Sequence, residues 1–106
     1  MKKFRPFLAI FTAILLSNGA AAVEPIKIGA ILPLNDISSR QGVNGMKLAV
    51  KEINLAGGVL GRPLELIVID DEMNPEKGAA AIKQLATVNK VDFFVGGMSS
   101  SVHLAQ

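Results

Sequence analysis

Three consecutive serines near the end of the sequence are the residues best suited to hold a polar ligand. Ser99, Ser100 and Ser101 follow Gly96 and Gly97, where the pattern predicts the start of a helix. The first turn of a helix offers unpaired N–H groups and a positive dipole end, and a serine hydroxyl adds a donor without charge. Such a set binds a carboxylate. The spacing alone favours the simpler interpretation, in which Ser99 or Ser100 caps its own helix.

A second chemically capable group is the acidic run Asp70, Asp71 and Glu72. Clustered carboxylates at the end of a strand hold magnesium or accept a phosphoryl group in some doubly wound proteins. Under that hypothesis the chain is a metal-dependent enzyme with a flavodoxin-like fold. His103 is the single histidine and lies at the predicted start of a helix without partners, so we interpret it as a surface residue.

The composition excludes several classes of chemistry. The sequence contains no cysteine, which rules out disulfides, thiolate metal sites, a cysteine nucleophile and a lipid-modified N-terminal cysteine. It has no pair of histidines and no glycine-rich phosphate loop, because Gly57 and Gly58 end a predicted helix where a phosphate loop would begin one. These absences leave no catalytic constellation, so we expect that the protein is not an enzyme and has no cofactor.

The elements that must position these side chains follow an alternating pattern. Apolar, β-branched runs predict three buried parallel strands, over residues 26–32, 64–70 and 91–95. Helical spacing of apolar residues predicts one helix from Val43 to the Gly57-Gly58 pair and a second that begins at Pro75. The sequence therefore indicates an α/β fold, an open doubly wound parallel sheet with helices on both faces.

Two loops of this fold are the candidate site. Ligands of open parallel sheets bind at the carboxyl ends of the strands, where the strand order reverses. If the order is second, first, third, the loops after the first and third strands flank that point. The first loop is predicted over residues 33–42, a polar stretch with Arg40 and Gln41, and the second over residues 96–101.

The first 22 residues have the three parts of a cleavable signal peptide. Lys2, Lys3 and Arg5 form a basic tip, an apolar run over residues 7–16 follows, and small residues lead to a cleavage point placed after Ala22. The apolar run is much shorter than the roughly 20 residues that cross a bilayer as a helix. We expect an exported, soluble protein without a lipid anchor, in which residues 23–106 form the folded part.

The net charge does not identify a partner. Three of the 11 Lys and Arg residues lie in the signal peptide and none of the 9 Asp and Glu residues do, which leaves a nearly neutral remainder. The sequence pI of about 9.2 is therefore largely a property of the signal peptide. We expect no nucleic acid partner.

A resemblance to a known family is carried by three segments in order: IKIGAILPL, then GMKLAVKEINLAGGVLGRPLELIVIDDEMNPEKGAAA, then VDFFVGGMSSS. The sequence resembles the periplasmic solute-binding proteins of ABC importers, of the type that binds the branched-chain amino acids leucine, isoleucine and valine. The middle segment is the specific one, because it combines EIN, the Gly-Gly pair, Gly-Arg-Pro and a DDxxxP turn. The resemblance covers residues 26–106.

The resemblance implies part of a two-lobed protein that closes on its ligand. Residues 23–106 would be the first part of the N-terminal lobe, so the chain is interpreted as an N-terminal fragment or as the product of a truncated gene. The whole protein would act as a periplasmic monomer that captures a branched-chain or other amino acid, or a related amide, for a membrane permease. The alternative is an exported remnant that does not bind.

The resemblance also implies roles for individual residues. Hydroxyls and N–H groups after the third strand hold the carboxylate of the ligand in this family, and Ser99 is the matching position, with Ser100 beside it. The first loop contributes a further side chain, often aromatic in the amino acid receptors. The comparable place here holds Arg40 and Gln41, and Gln41 is the expected contact. The acidic pair Asp70-Asp71 would be structural.

Overall fold

The computed structural model describes residues 23–106, and the proposed signal peptide lies outside them. Strands and helices alternate along the described part of the chain: β1 Ile26–Leu32, α1 Ile37–Leu55, β2 Leu64–Asp70, α2 Pro75–Gln84, β3 Phe93–Val95 and α3 Ser100–Ala105. A turn of π-helix, Leu85–Asn89, continues α2. The predicted α/β class is confirmed.

The strands form one parallel sheet in the order β2-β1-β3, as the sequence analysis assumed. The central strand β1 pairs with β2 along its whole length, from Ile26 opposite Leu64 to Leu32 opposite Asp70. Its pairing with β3 covers only three residues. The order reverses between β1 and β3, so the loops that follow these two strands lie at one edge of the sheet.

The core lies on both faces of β1, because successive side chains of a strand point to opposite faces. Ala30 and Leu32 are buried against Val43 of α1. Ile31, between them, is buried on the other face against Ala81 of α2 and Leu85. Helices therefore cover both faces of the sheet, as expected for a doubly wound fold.

Helix α1 begins six residues earlier than predicted, and the loop before it is short. The sequence analysis placed a loop over residues 33–42, whereas α1 already begins at Ile37. Asp36 is the N-cap, and its carboxylate Oδ2 accepts a hydrogen bond of 2.8 Å from the Ser39 N–H. The loop is therefore residues 33–36, and Arg40 and Gln41 lie on the helix.

Strand β3 is shorter than the predicted residues 91–95. Asp92, just before it, exchanges two hydrogen bonds with Lys27: its N–H donates to the Lys27 carbonyl over 2.8 Å, and its carboxylate accepts from the Lys27 N–H over 3.0 Å. The carboxylate of Asp92 thus accepts the hydrogen bond from Lys27 that a backbone carbonyl would accept in a regular strand pair. Regular pairing begins only at Phe93.

The turn from α1 to β2 is fixed by Asn54 and two glycines. The Asn54 amide donates to the Leu64 carbonyl over 2.9 Å, and its side-chain oxygen accepts from the Leu64 N–H over 2.7 Å. The side chain therefore pairs with the start of β2 as a neighbouring strand would. Gly57 and Gly58 have φ of 106° and 78°, so the predicted left-handed end of the helix is confirmed.

Within residues 23–106, no helix is both long enough and apolar enough to cross a membrane.

Two helical glycines predict opposite responses to alanine. A Cβ on the buried Gly78 of α2 would overlap Cγ1 of Val102 on α3, whereas a Cβ on the exposed Gly45 of α1 would meet open space. We expect Gly78→Ala to lower the free energy of unfolding by about 1–3 kcal/mol through overpacking. Gly45→Ala should raise it by about 0.5–1 kcal/mol, because alanine favours the helix.

Urea denaturation of each variant measures both effects. Adding Val102→Ala to Gly78→Ala should relieve the overlap, so that this pair of changes costs less than the sum of the two single changes. Equal responses at the two glycines would contradict the close packing of α2 on α3.

Candidate functional site

The loops after β1 and β3 meet at the predicted switch point. Ser39, in the first turn of α1, is 3% exposed and donates a hydrogen bond of 3.2 Å from its Oγ to the sulfur of Met98. Met98 immediately precedes Ser99, the N-cap residue of α3. The N-terminal ends of α1 and α3 therefore lie together at the carboxyl edge of the sheet. This edge is where the fold class places ligands.

Ser99 does not use its side chain to cap α3. The residue occupies the N-cap position, but its hydroxyl makes no capping hydrogen bond to a backbone N–H of the helix. Instead, its Oγ lies 2.9 Å from the Oγ of Ser101. Ser99 is half-buried and Ser100 is exposed. The capping interpretation that the spacing favoured is therefore wrong for the Ser99 hydroxyl, which keeps further hydrogen-bonding capacity, since a hydroxyl donates once and accepts twice.

Two glycines bring the loop between β3 and α3, residues 96–99 and here called the serine loop, close to its neighbours. Gly96 and Gly97 have φ of 98° and 110°, a region that favours glycine. A Cβ on Gly96 would lie 3.0 Å from the Ile31 carbonyl oxygen, and one on Gly97 would overlap the imidazole of His103. The His103 side chain is exposed and pairs with Gln106 over 3.0 Å, so the structure places it at the surface, as predicted.

Gln41 lies on α1 and lines a surface cavity of about 450 Å³ along the flank of that helix. The residues around it are Leu34, Ile37, Arg40, Gln41, Val43, Asn44 and Lys47. Ser99 and Ser100 are not among them, so the structure does not bring Gln41 and the serines into one cavity. The early start of α1 is the reason, because it fixes Gln41 on a helix face instead of in a loop.

Arg40, beside Gln41, is exposed, and one nitrogen of its guanidinium bonds to the loop before α1. Its Nη1 donates hydrogen bonds to the carbonyls of Leu34 and Asn35, over 3.0 and 3.3 Å. Sequence reasoning missed this contact, because it placed Arg40 inside the loop that the side chain holds. If α1 had been predicted to begin after an N-cap at Asp36, Arg40 would have been placed one turn into the helix, near the loop.

The acidic run forms a turn. Oδ1 of Asp70 accepts hydrogen bonds from the N–H groups of Leu34 and Glu72, over 3.0 and 2.9 Å. Asp71 is 1% exposed, and its Oδ1 accepts from the Met73 N–H over 2.9 Å. Glu72 forms an ion pair with Lys77 at the start of α2. The structural role that the resemblance implied is therefore observed.

These backbone hydrogen bonds use one oxygen of each aspartate, and Oδ2 of Asp71 is buried without a hydrogen-bond partner. In the part of the chain that the structure describes, no three His, Asp or Glu side chains are grouped so as to hold a metal ion. The geometry therefore gives no support to the hypothesis of a metal-dependent enzyme.

Comparison with known proteins relates the fold to a family. Residues 25–106 match the family profile described as periplasmic binding protein. The chain is 35% identical over 101 residues to the Leu/Ile/Val-binding protein BraC3 of Rhizobium johnstonii, an alignment that covers 90% of this chain and 27% of that protein. It is 27% identical over 99 residues to Leu/Ile/Val-binding protein homolog 1 of Brucella abortus, covering 91% of this chain and 26% of that protein.

Solved structures show the same fold. The substrate binding protein LivJ of Streptococcus pneumoniae, in complex with isoleucine, superposes with a TM-score of 0.71 at 30% identity, over 77% of this chain and 24% of that one. An ABC transporter substrate-binding protein of Desulfitobacterium hafniense, in complex with Leu, gives 0.67 at 37% identity, over 74% and 23%. The chain thus spans about a quarter of the length of these relatives, which are named as binding proteins.

Because Asp70 accepts two backbone hydrogen bonds, Asp70→Ala should destabilise the protein more than Asp70→Asn. Asp70→Ala removes the acceptor of two backbone N–H groups and should lower the free energy of unfolding by about 2 kcal/mol. Asp70→Asn keeps one acceptor oxygen and should cost less than half as much. Urea denaturation measures both, with millimolar magnesium chloride as a further condition. Stabilisation by magnesium that Asp70→Asn abolishes would contradict the structural role and restore the metal hypothesis.

Proposed function

We propose, because the chain belongs to the periplasmic binding protein family, that it serves in the substrate-binding component of an ABC importer. In this proposal the protein captures a branched-chain or other amino acid, or a related amide, and delivers it to a membrane permease without chemical change. The observation that carries the proposal is the serine loop: Ser99 has a hydroxyl that is not used for capping, at an edge where two helix N-termini meet.

We infer that residues 23–106 are the first part of an N-terminal lobe. In support, β3 is an apolar strand whose residues Phe93, Phe94 and Val95 are 61%, 46% and 41% exposed. Apolar strands of parallel sheets are normally covered on both faces. In a protein as long as the relatives, further elements of the same lobe would cover these three side chains.

We infer that residues 1–22 are a signal peptide and that the protein works in the periplasm. The match to the family begins at residue 25, directly after the proposed cleavage point. The family description and the charge distribution of the first residues agree with export across the inner membrane.

The proposed contacts are to the carboxylate of the ligand. The hydroxyls of Ser99 and Ser100 and the N–H groups at the start of α3 would donate to it. Gln41 remains a proposed polar contact on the resemblance alone, since it lies on α1 and lines a cavity that does not include the serines.

A thermal-shift screen tests the function. The protein, expressed from its gene to the stop codon, is screened against the common amino acids, short amides and urea. A ligand at about a hundred times its Kd stabilises the native state by roughly 2.7 kcal/mol, which raises the Tm. The proposal expects such a shift with one or a few amino acids. A well-folded protein that shows no shift would contradict it, and a chain that does not fold would support the remnant alternative.

Ser99→Ala tests the carboxylate role. Loss of one hydrogen bond to a charged group should weaken amino acid binding by about tenfold, measured by calorimetry. Thr87→Ala is a matched control, because Thr87 lies in the middle of the π-helical turn, at the opposite edge of the sheet. Its Oγ1 donates to the Lys83 carbonyl over 2.7 Å. If both variants bind equally well, the role of Ser99 is wrong.

A further inference from the structure

We propose that Arg40 is a positioning residue, which holds the β1–α1 loop, residues 33–36, in the shape that ligand binding requires. The proposal rests on the proposed function, since this loop borders the switch point beside the serine loop. Arg40 itself is not proposed to touch the ligand. Its action is on the backbone of Leu34 and Asn35.

The peptide groups of Leu34 are held from two sides. Its N–H donates to the Asp70 carboxylate at the end of β2, over 3.0 Å. Its carbonyl accepts from Nη1 of Arg40 on α1, over 3.0 Å, and the carbonyl of Asn35 accepts from the same nitrogen over 3.3 Å. An anion and a cation on separate elements therefore fix a single residue of the loop.

The remainder of the loop is held by shorter-range contacts. Pro33 is fully buried, and its carbonyl accepts from the Asp36 N–H over 3.1 Å. The Asp36 carboxylate accepts from the Ser39 N–H. These bonds form the turn and the helix cap without Arg40. Arg40 is therefore required for the orientation of the Leu34 carbonyl and not for the existence of the loop.

The orientation of those carbonyls matters for an anionic ligand group. Because they accept from Arg40, the oxygens of Leu34 and Asn35 are directed to α1. Without the guanidinium, the peptide group that carries the Leu34 carbonyl would be free to turn, whereas the one that carries the Asn35 carbonyl would still be held by the Asp36 N–H. A carbonyl oxygen that faces a carboxylate repels it. Fixing the loop before binding also removes an ordering cost from the affinity.

The exposed position of Arg40 separates this role from general stability. Hydrogen bonds at an exposed site contribute little to the free energy of unfolding, because water replaces them. Removing the guanidinium should therefore free the loop and leave the fold intact. A residue with a purely structural role would instead change the Tm and the affinity together.

The test compares Arg40→Gln and Arg40→Lys with the control variant Lys47→Gln. Lys47 lies on the same helix and lines the same cavity, so the control removes a cation there but leaves the loop contacts in place. Hydrogen exchange of the ligand-free protein reports on the Leu34 N–H, and calorimetry reports the Kd for leucine, or for whichever amino acid stabilises the wild type. Arg40→Gln should accelerate exchange at Leu34 at least tenfold and raise the Kd three- to tenfold, with the Tm unchanged. Arg40→Lys should recover part of both effects, and Lys47→Gln should show neither.

The outcomes are distinguishable from failure of the proposed function. Unchanged exchange at Leu34 in Arg40→Gln would overturn the positioning role whatever the ligand result. A Kd that rises only in proportion to a fall in Tm would show a structural role and overturn the proposal as well. A wild type that binds no amino acid would overturn the proposed function and with it the ligand role of Arg40, while the exchange result would still show whether the loop is held.

Discussion

Burial of β1 on both of its faces and pairing along both of its edges is the constraint on which the rest of the structure depends. Ala30, Ile31 and Leu32 are 0%, 3% and 7% exposed. A strand in this position needs a helix on each side, and parallel neighbours need crossover connections. The positions of α1 and α2 follow from that requirement. The meeting of two helix N-termini at one edge of the sheet follows in turn.

The carboxyl edge of the sheet is built from polar side chains that bond to backbone groups. Asp70, Asn74 and Asp36 accept from N–H groups of the turns that they begin, and Arg40 donates to carbonyls of the loop before it. Short loops at this edge leave many backbone groups without partners in helices or strands, and such groups must be satisfied. Asp70 and Asp71 therefore each use one carboxylate oxygen to shape the turn after β2. Ser99 differs from them, because its hydroxyl bonds only to another hydroxyl in the described structure.

The fold could be predicted from the sequence, but the positions of Arg40 and Gln41 could not. Strands β1 and β2 were predicted with their observed bounds, because both are uninterrupted apolar runs that end in turn residues. The start of α1 was missed, since Ser38, Ser39 and Gly42 have weak helix propensity and the first turns are stabilised by tertiary contacts, the burial of Ser39 and Val43 among them. That error moved Gln41 from a loop to a helix face. The contact of Arg40 with Leu34 did not follow from the predicted elements, because the direction of the Arg40 side chain depends on the residue at which α1 begins.

The separation of paired residues along the chain affects how it becomes folded. Ile28 of β1 pairs with Leu66 on one edge and with Phe93 on the other. The ribosome synthesises the central strand first, yet its second partner emerges only after two intervening helices. Long-range parallel pairing is slow to form. A newly made chain of this topology therefore stays unfolded for longer than a helical bundle would. The strand order that creates the switch point thus also delays completion of the sheet until residues 93–95 have been made.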